Sequence, residues 1–103
     1  MANQTGNLFI QNGMIVDGTG ATAFKANLRI RDGMISEISN TISASSDERV
    51  FDAEGCFVTP GLIESHTHFD GTMWWQPDLD PLPGCGVTTV IMGNCGFALA
   101  PLH

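Results

Sequence analysis

A chain of 103 residues with 11 acidic against 4 basic side chains, net charge −7, has no basic run to track a phosphate backbone, which argues against nucleic-acid binding. Hydrophobic residues at 43%, charged ones at 15%, 12 Gly and 5 Pro describe a folded, turn-rich and β-rich chain rather than a disordered one. No apolar run approaches the ~18 residues of a membrane span, and the opening MANQTGN lacks a signal-peptide pattern. The expected setting is therefore cytoplasmic, with Cys56, Cys85 and Cys95 as thiols and no membrane partner.

In chain order, Leu8-Phe9-Ile10 and Met14-Ile15-Val16 flank Asn12-Gly13, a dipeptide suited to the positive φ angles of a type I′ turn, which predicts a hairpin. Ala26, Leu28 and Ile30 then alternate with polar neighbours up to Asp32-Gly33, and Met34-Ile35 with Ile38 resumes the apolar side, predicting a second turn of the same type. Two such turns imply a small antiparallel sheet. Residues 40–47, NTISASSD, read as a surface loop, and Val50-Phe51 and Cys56-Phe57-Val58 as extended segments around Ala53-Glu54-Gly55. Residues 1–59 are thus expected to form a β-sandwich-like part with no chemistry of its own.

Thr59-Pro60-Gly61 breaks the pattern, because Pro removes a ladder donor and Gly frees the backbone. Leu62-Ile63 then feeds directly into Glu64-Ser65-His66-Thr67-His68. Residues 71–86, with Trp74, Trp75, Pro77, Pro81 and Pro83, cannot hold a long helix. Val87 to Met92 is β-branched and nearly all apolar, as in a strand buried on both faces, and ends in the turn Gly93-Asn94-Cys95-Gly96.

His66 and His68 are two apart, so on a strand their side chains leave the same face with Cα atoms roughly 6.5 Å apart, and both imidazoles can meet one cation at about 2.0 to 2.1 Å. Cys95 follows the end of the second apolar strand. If the two strands are parallel neighbours, the thiolate joins the histidines at one end of the sheet, and a borderline-soft ion such as Zn²⁺ accepts nitrogen and sulfur together. A closed site of Cys85, Cys95, His66 and His68 is the weaker alternative because its spacings are irregular. Trp74 and Trp75 are expected to cover a core, Cys56 to be buried beside Phe57 and Val58, and Cys85 to lack any basic neighbour that would lower its pKa.

Val58 to Asp70 (VTPGLIESHTHFD) resembles the first barrel strand of the amidohydrolase superfamily. Gly86 to Phe97 (GVTTVIMGNCGF) is similar to the second strand in its D-aminoacylase, or N-acyl-D-amino-acid deacylase, branch, and Asn12 to Gly20 (NGMIVDGTG) is similar to that family's opening hairpin. The resemblance implies a composite β-sandwich, of which residues 1–59 are the N-terminal part, followed in 60–103 by the first two strands of an incomplete (β/α)8 metal-dependent hydrolase barrel. It implies zinc at the barrel mouth, with His66 and His68 matching the two-histidine motif and Cys95 the cysteine ligand of this branch. Glu64 stands where an Asp is more usual, and Asp70 receives a supporting role. The implied reaction is hydrolysis of a small-molecule amide, an N-acyl-D-amino acid, at a C–N bond other than a peptide bond. A barrel takes on the order of 250 residues. The later histidines and the proton-handling aspartate are accordingly expected beyond His103, itself matching no ligand, and the 103 residues alone are expected to be inactive. The competing expectation is a non-catalytic β-module that self-associates through exposed strand edges.

Overall fold

The computed structural model describes residues 6–94, and the chain divides between Pro60 and Gly61 into two units. The first unit is one mixed five-stranded layer, made of β1 (Leu8–Ile15), β2 (Phe24–Arg31), β3 (Met34–Ser39), β4 (Arg49–Asp52) and β5 (Phe57–Val58). The order is β3-β2-β1-β4, with β5 also on β1; β1, β2 and β3 run antiparallel, whereas β4 and β5 both run parallel to β1.

The Asp32-Gly33 turn forms as the sequence predicts, with φ of 51° and 76° at its two residues, joining β2 to β3. The Asn12-Gly13 hairpin does not form. Instead β1 passes straight through this dipeptide, and the register on β2 shifts between Ile10 and Gly13, which is a bulge. Asn12 does take the positive φ its residue type favours, 57°, but the strain is absorbed within a strand by side-chain bonds. Its backbone N–H donates to Asn27 Oδ1 at 2.9 Å, and its Nδ2 donates to both Asp52 carboxylate oxygens at 3.0 Å. The neighbouring edge breaks at the same level, between β4 and β5, where the Ala53 and Gly55 amides donate to the Gln11 and Asn12 carbonyls. Gly13 is required there, since a Cβ would stand 2.7 Å from Val58 Cγ2.

Alternation along the strands sorts the two faces. On one, Ile15, Ala26 and Leu28 are buried with Ile10, Ile30 and Val58 packed around them, while Phe51 and Ile35 stay exposed on either side. On the other, Phe9 is buried, with the Arg29 guanidinium 5.4 Å from its ring centre. Arg29 is fixed by Glu48, Glu37 and the Ser43 carbonyl. Cys56, expected to be buried, is exposed, because it lies in the turn before β5 and is held there through its backbone.

The second unit contains β6 (Leu62–Glu64), α1 (Phe69–Thr72), a 3₁₀ turn over Pro83–Cys85, and β7 (Val87–Val90). β6 and β7 pair in parallel, with Leu62 opposite Val87 and Glu64 opposite Val90. Residues 65–86 make the crossover that a parallel pair needs. Gly61 leaves room for Thr88, which occupies the space a Cβ at Gly61 would take. β7 is not buried on both faces as its composition suggests, because only β6 flanks it among the described residues and no layer covers Thr88 or Thr89. Within the described residues no helix is long and apolar enough to cross a membrane.

Candidate metal site at the ends of two parallel strands

His66 and His68 follow β6 directly, and both are exposed, whereas Thr67 between them is buried. The two histidines thus lie in bends just past the strand and not on it as the sequence suggested, and only the buried Thr67 between them keeps both on the exposed side. The two imidazole centres are 5.8 Å apart with their planes at 63°. A cation about 2.0 to 2.1 Å from one nitrogen of each ring at a tetrahedral angle places the ring centres about 5 Å apart, close to the separation seen here. The donor set fits a transition metal such as zinc.

The turn that carries the histidines is tied at several points. The His66 amide donates to Glu64 Oε1 at 2.9 Å, so the Glu64 side chain caps the end of its own strand. The Ile91 amide continues the parallel ladder onto the Glu64 carbonyl at 2.8 Å. Beyond that point side chains take over: Asn94 Nδ2 donates to the Ser65 carbonyl at 2.9 Å, and the Gly93 amide donates to Asp70 Oδ1 at 3.0 Å. Asp70 is 3% exposed, and its second oxygen, like the hydroxyl of Thr67, is buried without a partner among the described residues.

Cys95 is the residue after Asn94, and both it and His103 lie outside the described residues. Among the described residues no three His, Cys, Asp or Glu side chains come together as a metal-binding group, so the structure brings together the histidine pair and no more. Cys85 is exposed and does not join the pair, which removes its part in the four-ligand alternative. Trp74 and Trp75 do not cover a core. They are 71% and 73% exposed, since the chain after α1 turns in short steps held by backbone bonds from Trp75 and Gln76 to the Thr72 carbonyl. Asn94 was not singled out from the sequence; the available signal was its placement next to Cys95.

Comparison with known proteins follows the same motifs. The amidohydrolase family model matches residues 49–101, about half of the chain. A D-aminoacylase of Alcaligenes xylosoxydans xylosoxydans is 39% identical over 100 residues, 97% of this chain and 20% of that protein. The crystal structure of an N-acyl-D-glutamate deacylase from Bordetella bronchiseptica, complexed with zinc and a phosphonate inhibitor, superposes with a TM-score of 0.81 at 40% identity, covering 93% of this chain and 20% of that one. A D-aminoacylase structure described by its binuclear metal centre superposes equally well, TM-score 0.81 at 36% identity, over 94% of this chain and 20% of that one. The chain belongs to the amidohydrolase family. Within it, nearly the whole chain matches the D-aminoacylase and N-acyl-D-amino-acid deacylase branch, of whose members it spans about a fifth.

Proposed function

We propose that this chain supplies part of the metal site of a zinc-dependent amidohydrolase that hydrolyses the amide bond of N-acyl-D-amino acids. The observation that carries the reading is the pair of adjacent exposed imidazoles at the end of β6, beside the end of a parallel β7 from which Cys95 follows. His66, His68 and Cys95 would hold the ion, and when bound it supplies Lewis acidity at the substrate carbonyl and acidifies water. The chain's own contribution is to fix the two imidazoles: Glu64 holds the His66 backbone, and burial of Thr67 turns both rings to the open side.

In this reading the first unit is the N-terminal part of a composite β-sandwich, whose apolar face with exposed Phe51 and Ile35 receives further strands, and the second begins a (β/α)8 barrel. Activity then requires the general base and further ligands of the complete enzyme, and the 103 residues alone are inactive. The zinc-bound and two-metal relatives support a metal cofactor, and the deacylase relatives support the substrate class. A second reading, a non-catalytic module associating through open strand edges, is favoured by the exposure of Leu62 and Ile63 on β6. Sedimentation as a monomer at all concentrations counts against it.

Release of free D-amino acid from N-acyl-D-amino acids by the complete enzyme, beside a His66→Ala, His68→Ala variant, tests the proposal. Loss of turnover in the variant is the expected result, and unimpaired turnover overturns it.

A further inference from the structure

We infer that Asp70 is a positioning residue: by accepting the Gly93 amide it sets the spacing between the turn that carries His66 and His68 and the turn from which Cys95 follows. The inference rests on the metal-site reading above and adds a residue that the ligand motif does not contain.

Among the described residues the parallel ladder between β6 and β7 has its last rung at the Ile91 amide and the Glu64 carbonyl, short of His66 and His68. Past that rung, two side-chain bonds join the turns. Asn94 to Ser65 is exposed and competes with water, whereas the Asp70 bond is made by a residue 3% exposed, shielded from water. Asp70 lies two residues after His68 in the first turn of α1, and Gly93 lies two residues before Cys95, so the bond links the two segments within a short lever of each predicted ligand. Among the described residues the buried second carboxylate oxygen has no partner, so there the carboxylate closes no other network. Among those residues its one bond is the tie to Gly93. A site whose ligands come from two turns needs such a support to hold them to within about 0.5 Å.

The test uses the 103-residue chain and two readouts: amide hydrogen exchange at Gly93 without metal, and the thiolate-to-cobalt charge-transfer band after loading with Co²⁺. In Asp70→Ala the Gly93 amide is expected to exchange at least tenfold faster and the band to fall to less than half, while Asp70→Asn, which keeps a carbonyl acceptor, stays near the unmodified chain in both. Should Asp70→Ala unfold the second unit, Asp70→Leu removes the acceptor and the unpartnered oxygen while keeping volume, and the same changes are expected of it. Unchanged Gly93 exchange in the variants without an acceptor overturns the brace. Faster exchange with an undiminished band, or equal loss in Asp70→Asn and Asp70→Ala, overturns the positioning role. Faster exchange with no band in the unmodified chain instead overturns the metal reading, and with it the purpose assigned to the tie.

Discussion

Glu48 accepts a hydrogen bond from Arg29 Nε at 2.6 Å and a second from Arg31 Nη2 at 3.0 Å, and its own side chain has no solvent exposure. Asp47 and Glu37 complete the group from the exposed side, and the Ser45 amide adds a further donor to Glu48. One carboxylate from the loop before β4 thus fastens two arginines of β2. Removing it leaves Arg29 over Phe9 without its main partner, which is worse than never having had the pair. Glu48→Ala is expected to lower the melting temperature of the first unit by clearly more than Glu37→Ala, whose ion pair is half exposed. Thermal denaturation of the two variants compares them, and equal losses would contradict this account.

The same contacts set a pH dependence. Arg29, first by its hydrogen bond, holds the Glu48 carboxyl below its usual range; Arg31 does so for Asp47, and the Asn12 amide for Asp52. Carboxyls with folded values below their unfolded ones, about 4.3 for Glu and 3.9 for Asp, bind fewer protons in the folded state. Their stabilisation is therefore complete above the unfolded values and is lost as pH falls through the lowered folded ones. Urea midpoints should be flat in this contribution above about pH 5 and drop below about pH 4, with a shallower drop in Glu48→Gln. An equal acid drop in that variant would contradict the assignment.

The Asn12 bulge makes a different prediction. A methyl at position 13 meets Val58 Cγ2, a branched side chain with little freedom to move. Gly13→Ala should destabilise the unit by about 1–3 kcal/mol, as overpacking does. Adding Val58→Ala should recover part of that loss, so the double variant is more stable than the sum of the single changes predicts, a coupling that denaturant titration measures. Strict additivity would show that the close approach is not the cause.

Trp74 and Trp75 supply a negative test. With about three quarters of each side chain in solvent, Trp74→Ser and Trp75→Ser are each expected to change stability by no more than about 0.5 kcal/mol. A loss of several kcal/mol would place them in a core after all.

Much of the fold could be read from local pattern. Asp32-Gly33 lies between two alternating runs and had one consistent outcome, and Leu62-Ile63 and Val87 to Val90 could be recognised as strands. Asn12-Gly13 could not be resolved this way, because positive φ serves a turn or a bulge equally well. What decided it were partners far along the chain, Asp52 and Asn27 for the side-chain bonds and the β4 and β5 edge for pairing. The parallel direction of that edge is likewise non-local. At the site, the histidine spacing revealed the pair, but the bond from the Gly93 amide to Asp70 spans 23 residues, and no local pattern announces it.

The central claim is that His66 and His68 belong to a metal site, and zinc analysis of the purified chain tests it most directly. At low micromolar zinc, the unmodified 103 residues are predicted to bind near one equivalent, and a variant with His66→Ala, His68→Ala and Cys95→Ala is predicted to bind none. Equal zinc in the two proteins, or none in either, would contradict the claim that these residues form the site.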